Sequence, residues 1–259
     1  MTITDSDGPL PDPRAFVRAT DWATLEHAYG PADESPELLI GLLADEPTTQ
    51  ATALRHLGDP LHHQNSVYSA TAPAALFVAA ALMDPSTAAV LPNPIGRHRQ
   101  VRAVLLDWLE SVASAVGNEA EATMARLGLH LERSPVSVQV RALRPALFRA
   151  VSVFLHDPDT GVQEAAIAAA VSLLDDPELV QHRSVLTPLV RNVLATSADR
   201  SYRFVAARGL HAWGQGFGPL PAQDAGPWGD GCSTEPNQHS EPVIPRRDER
   251  GAIISPWLV

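Results

Sequence analysis

Five Asp-Pro steps punctuate this chain, at Asp12, Asp59, Asp84, Asp157 and Asp176. The last four follow leucine- and alanine-rich segments: "RHLGDP", "AALMDP", "VFLHDP" and "SLLDDP". Proline ends a helix, because it lacks an N–H and its ring collides with the preceding turn. It is tolerated in the first turn of the next helix. An aspartate just before it can accept a hydrogen bond from that turn's free N–H groups. Repeated Asp-Pro between apolar segments therefore predicts a series of short helices joined by sharp corners.

The segments between the corners have helical period. Trp22, Leu25, Ala28 and Tyr29 fall on one stripe that ends at Gly30-Pro31. Ser35 is placed to cap a helix with Leu38, Leu39, Leu42 and Leu43 on its face, and Ala51, Leu54 and Leu57 mark the next. The clearest stripe is Val101, Val104, Leu105, Trp108, Leu109, Val112 and Val116. Asn118 and Glu121 then have capping-box spacing, ahead of Met124, Leu127 and Leu131. Pro145 must kink or restart the following helix, and Tyr202, Val205, Ala206, Gly209 and Trp213 share a face in the last one. No segment alternates convincingly with period two. Aromatics are only 5% of the chain, so alanine and leucine must fill the core, which suits closely packed helices. The expected fold class is all-α. A helical domain is expected over 15–214, between a flexible tail at 1–14 and a Gly/Pro-rich, disordered tail at 215–259 that ends in the apolar "AIISPWLV".

Charge and cysteine content narrow the chemistry. The net charge is -11, and all 19 basic residues are arginine. The absence of lysine excludes a Schiff-base lysine and a P-loop lysine. Residues 1–60 hold eleven Asp/Glu against three Arg, which disfavours nucleic acid and anionic membranes and suits a basic partner. Cys232 is the single cysteine, so no internal disulfide and no multi-cysteine zinc site exists. Its place in the expected tail argues against a nucleophile. The opening "MTITDSDGPLPDP" does not read as a signal peptide, and "APAALFVAAALM" is too short to span a bilayer, so a cytoplasmic location is expected.

Two segments superpose at a period of 40 residues, with Val162 on Tyr202, Gln163 on Arg203 and Ala166 on Ala206; Gln50 occupies a looser equivalent of Gln163. A two-helix unit of that length is the period of HEAT-type repeats. On these residues the chain resembles the HEAT-repeat family: "DPDTGVQEAA" at Asp157–Ala166 looks like the family's second-helix signature, with Gln163 where Arg is usual and Arg203 restoring it. "WATLEHAYG" at Trp22–Gly30 and "HQNSVYSATAPAALF" at His63–Phe77 resemble a narrower bacterial group of HEAT-repeat proteins with a recurring HQ…VY-AT-AP signature. The resemblance implies a HEAT-like α-α superhelix, a short solenoid of antiparallel helix pairs. Residues 86–135 depart from a clear repeat.

His62 and His63 are adjacent and point different ways, and His56 lies across the Gly58-Asp59-Pro60 corner. A site of His56, His62 or His63 with Asp59 lacks the i, i+4 spacing of a zinc helix, and these groups read instead as backbone ties at a corner. On that reading His63→Ala is expected to lower stability rather than abolish chemistry. Nucleotide-loop and serine-hydrolase motifs are absent, and no cofactor or metal is expected. Arg133, Arg141, Arg144 and Arg149 raise the question of a basic groove. The surrounding 101–217, however, hold twelve acids against eleven arginines, so nucleic acid is not expected. The expected function is a non-enzymatic protein-binding scaffold, in one specific form an immunity or antitoxin-type binder of a basic partner. Its candidate surface is Asp21, Glu26, Asp33, Glu34, Glu37, His62, His63, Gln64 and Tyr68. The alternative is an enzyme on the same scaffold, glycosylase-like or lyase-like, which needs a concave pocket with convergent polar groups and which His56, His62, His63 and Tyr68 converging on one cleft would favour.

Overall fold

Each Asp-Pro corner uses its carboxylate, in more than one way. A computed structural model of the chain describes residues 10–92 and 98–216. Asp12 accepts from Ala15 N–H at 2.7 Å and starts α1 (Pro13–Ala19), inside the expected tail boundary. Asp84 and Asp176 cap short 3-10 turns by accepting from Ser86 and Glu178 N–H. Asp157 accepts from Asp159 N–H. Asp59 caps nothing; its carboxylate belongs to the site described below.

Helices make up 70% of the structure and strands 4%, so the chain is all-α. After α1 come α2 (Ser35–Ile40), α3 (Pro47–Gly58), α4 (Thr71–Ala81) and α5 (Val101–Ala115). They are followed by α6 (Asn118–Arg126), α7 (Pro135–Ala142), α8 (Arg144–Ser152), α9 (Thr160–Leu173), α10 (Arg183–Thr196) and α11 (Arg200–Ala212). Two small antiparallel hairpins interrupt them: β1 (Glu26–His27) with β2 (Gly30–Pro31), and β3 (Val90–Pro92) with β4 (His98–Gln100).

The packing is pairwise and sequential. Helix α2 packs on α3, α4 on α5, α8 on α9 and α10 on α11, and α3, α5, α9 and α11 form a row in which each touches the next. The contact between α5 and α9 is the most extensive. Helix α4 is buried on every residue except Leu76 and the equally small α9 is buried along most of its length, which is why both read as alanine-rich. Larger residues supply the apolar payload: Phe77, Leu105, Leu109, Leu147 and Leu173 are fully buried. Each contributes about 1.5–3 kcal/mol of burial free energy.

A local device recurs along the row. Glu46 caps α3, Asp159 caps α9 and Asp199 caps α11 by accepting backbone N–H groups of the first turn. The residue four positions later reaches back to a carbonyl of the preceding segment: Gln50 to Leu42 O at 3.2 Å, Gln163 to Leu155 O at 3.2 Å, Arg203 to Ser197 O. The aligned Gln163 and Arg203 thus do the same work. Helix α5 breaks the rule, because Gln100 makes no side-chain cap and instead donates to the second oxygen of Asp159. The carbonyl end of α5 is closed from outside by Arg141 and the buried Arg144, both donating to Val116 O at the α7–α8 break that Pro145 restarts.

Several expectations need correction. Trp22–Gly30 is not a helix but a 3-10 turn and the first hairpin. Ser35 does not cap α2; its hydroxyl is buried against His56. The buried face of α3 is Gln50, Ala53, His56 and Leu57, while Ala51 and Leu54 are only half-buried. Asn118 does not form a capping box: its N–H donates to Asp175, and Glu121 pairs with Arg141. Helix α6 buries no residue, and together with the β3–β4 hairpin it accounts for the loss of pattern over 86–135. Cys232 and "AIISPWLV" lie outside the described residues. No helix among the described residues is long and apolar enough to cross a membrane.

Candidate functional site

The first hairpin shows how tertiary bonds override a helical pattern. Trp22 is buried, and its indole N–H donates to Val17 O at 2.9 Å. Ala28 N–H then donates to Pro60 O, and Glu26 O accepts from Ala70 N–H. These bonds tie the segment to the corner after α3 and to the start of α4. Gly30 sits at φ 132°, a conformation closed to side-chain-bearing residues, and lets the chain reverse. Tyr29 is left at the tip with 62% of its surface exposed.

Tyr29 is held rather than loose. Its hydroxyl donates to Asp59 Oδ1 at 2.8 Å, the same oxygen that His63 Nδ1 approaches at 2.8 Å, and the Tyr29 and His63 rings lie 5.5 Å apart. The Tyr29 hydrogen bond, then the His63 bond, holds the Asp59 carboxyl below its ordinary range, and the bond to Asp59 pushes the Tyr29 phenol up. Next to this triad Gln64 and Asn65 both have positive φ, 48° and 59°, a left-handed conformation that Asn adopts readily and Gln does not. They turn the chain so that His62 points inward and His63 outward.

Behind the triad is a buried polar layer. His27 receives Tyr29 N–H on Nδ1 at 3.1 Å and meets Glu34 Oε1 through Nε2 at 2.6 Å. Burial works to raise the Glu34 carboxyl, but the His27 bond and nearby imidazoles win and hold it low. His56 packs edge-on to His27 at 5.8 Å and bonds Ser35 through Nε2. His62 bonds Ser66 O at 2.9 Å and Ser111 Oγ at 2.8 Å, and stands edge-on to Trp108. Burial depresses the imidazoles of both His56 and His62.

The expected surface is therefore only partly a surface. Asp21, Glu26, Asp33, Glu34, Glu37 and Gln64 are exposed, His63 and Tyr68 are half-buried, and His62 is buried with 6% exposure, so His62 leaves the set. Its imidazole is needed inside to join the corner to α5. Tyr68 contributes its backbone, donating to Thr71 Oγ1, which in turn donates to Leu61 O; Thr71 fastens the joint instead of capping α4. His56, His62 and His63 each have a different partner and do not converge. Among the described residues no three His, Cys, Asp or Glu side chains are grouped to hold a metal ion. Beside this region, Glu37, Leu38, Gly41, Thr48, Thr49 and Thr52 line an open groove of about 190 Å³ between α2 and α3.

A second polar constellation was not anticipated. Asp107, Glu110 and Ser114 form a stripe on α5, opposite part of its apolar face. Arg99 donates to Asp107 at 2.6 Å and to the Tyr202 hydroxyl, which itself donates to Asp107 at 2.9 Å. Arg208 reaches from α11 to Ser172, Ser114 and Glu110, and Ser172 donates to Glu110 at 2.8 Å. Burial raises both carboxyls and the Tyr202 phenol. The i, i+3, i+7 spacing of 107, 110 and 114 was the available signal. The network satisfies itself and laces α11 to α5 over α9. Arg141 and Arg144, weighed as parts of a basic groove, are committed to the end of α5. No family model, curated protein or solved structure matches the chain.

Proposed function

We propose that this protein is a non-enzymatic, cytoplasmic α-solenoid of HEAT type that binds a basic protein partner through the face carrying Tyr29. The observation behind this reading is the combination at that face. An exposed aromatic ring is immobilised by Asp59 and His63, and the exposed acids Asp21, Glu26, Asp33 and Glu37 flank it in the sequence. Rigid aromatics are preferred anchors of interfaces because little side-chain entropy is lost on docking, and cations favour aromatic faces and carboxylates. Separately engaged histidines favour a binding role over a catalytic one. The row α3–α5–α9–α11, with its repeated acidic cap and reach-back side chain, supports the solenoid part. The immunity or antitoxin form is the specific case in which the partner is a cationic toxin.

The test is affinity capture from the native host with wild-type protein and a Tyr29→Ala/Asp33→Asn/Glu37→Gln variant. A basic partner in 1:1 ratio, lost with the variant and weakened by salt, supports the reading. A partner retained equally by the variant, or no stoichiometric partner, overturns it.

A further inference from the structure

We propose that His27 is a proton-sensitive latch on the β1–β2 hairpin, closed when its imidazole is neutral and opened by one added proton. The inference stands on the hairpin's own hydrogen bonds; only its biological meaning, a docking face presented differently in acid, rests on the function proposed above.

Tyr29 N–H can donate only to a bare nitrogen, so His27 Nδ1 carries no hydrogen in this fold. The ring proton is therefore on Nε2, donating to Glu34 Oε1 at 2.6 Å. A second proton has one place to go, Nδ1, where it faces the Tyr29 N–H and turns an acceptor into a donor. Flipping the ring does not help, since a protonated imidazole offers hydrogens at both nitrogens. The ring is also enclosed, with 8% of the residue exposed.

The groups facing His27 come from every neighbouring element. Glu34, just ahead of α2, attracts a charged imidazole. His56 from α3, whose imidazole burial depresses, stands edge-on at 5.8 Å and is hydrogen-bonded to Ser35. Tyr29 covers the third side, with ring centroids 6.2 Å apart, and beyond it stand Asp59 and His63. The carboxylate of Glu34 keeps the Nε2 side fastened after protonation, so the change is confined to Nδ1 and the Ala28–Tyr29 turn. The Tyr29 hydroxyl stays on Asp59, whose carboxyl is held low by that bond. The turn opens about a ring that remains anchored.

The experiment is amide hydrogen exchange by NMR on the full chain at pH 7.5 and pH 5.0, corrected for intrinsic exchange. Protection at the Tyr29 amide is expected to fall by about tenfold or more at the lower pH while amides in α9 keep theirs. His27→Asn supplies an amide oxygen near the Nδ1 position that does not titrate, and is expected to keep Tyr29 protected at both values. The inference is overturned if Tyr29 is equally protected, or unprotected, at both. It is equally overturned if α9 loses protection in parallel or if His27→Asn opens in acid as the wild type does. Should that variant not fold, the wild-type His27 ring-proton shift must titrate with the same midpoint as the Tyr29 opening, and a mismatch sinks the idea. No partner is present, so its failure and that of the docking reading are separable.

Discussion

Gly209 on α11 lies directly against Val171 on α9, so closely that a β-carbon at Gly209 would fall inside van der Waals contact of Val171 Cγ1. The two helices meet backbone to side chain at this point. Gly209→Ala gains about 1 kcal/mol in helix propensity, yet overpacking a filled contact costs about 1–3 kcal/mol. The net expectation is a modest loss of stability, read as a drop in Tm of about 2–4 °C per kcal/mol for a domain of this size. Adding Val171→Ala should recover part of the loss relative to Val171→Ala alone. Strict additivity in that double-mutant cycle would show that this contact is not the cause.

Of the two adjacent histidines, His62 is expected to carry more of the stability than His63. His62 is buried with both ring nitrogens engaged, so His62→Ala leaves a cavity and strands the Ser66 and Ser111 partners, for a cost of about 2–4 kcal/mol. His63 meets Asp59 at the surface, and His63→Ala should cost less than about 1 kcal/mol. Urea unfolding of the two variants side by side decides; equal midpoints would contradict the assignment.

Acid should weaken the fold through the two buried imidazoles. Burial lowers His56 and His62 below the ordinary value of 6.5. The unfolded chain then takes up protons first as pH falls, so stability is fully present above about 6.5 and is lost progressively below it until the folded-state values are passed. Replacing both with Gln is expected to flatten the Tm profile below pH 6.5, although the double variant starts from a lower Tm. An unchanged slope would assign the acid loss elsewhere.

A carboxylate should govern the next step downward. Glu46 accepts hydrogen bonds from Thr48 and Thr49, side chains and backbone, which lower its carboxyl from 4.5 to about 2. A depressed carboxyl stabilises the fold above its unfolded value, and the contribution disappears as pH falls from about 4.5 toward about 2. Glu46→Gln should remove that part of the acid dependence and fray the first turn of α3. Circular dichroism melts across that interval measure it, and identical wild-type and variant slopes would refute it.

What could be read from the sequence followed from how local the controlling physics was. The stripe Val101, Val104, Leu105, Trp108, Leu109, Val112 and Val116 specified α5 because a long amphipathic stripe has one good solution, and all of it is buried except the half-buried Val104. The Asp159 and Asp199 caps are equally local, each accepting from an N–H two or three residues on. Trp22–Gly30 was not, because what decides it is remote: Pro60 and Ala70 supply the backbone partners that turn a helical pattern into a hairpin. Ser35 looked like a cap until His56 arrived from another helix, and Tyr29 is held in place at the surface by Asp59, thirty residues away. Within the candidate site, exposure of the acids was foreseeable from their charge. The inward turn of His62 was not, since what engages its ring inside is Ser111, 49 residues away.

The lacing of α5 to α11 has a consequence for how the chain is made. Glu110 and Arg208 are separated by 98 residues, an interval of about 5–20 s at ordinary rates of synthesis. Throughout that time the polar stripe of α5 has emerged and its closing arginine does not yet exist. Packing α9 onto α5 in that window would enclose Glu110 without its cation. Asp107 meets the same delay before Tyr202 appears. The nascent chain therefore has a reason to keep the α5–α9 contact loose and wet until its last helix is delivered, and to set the core in a single late event.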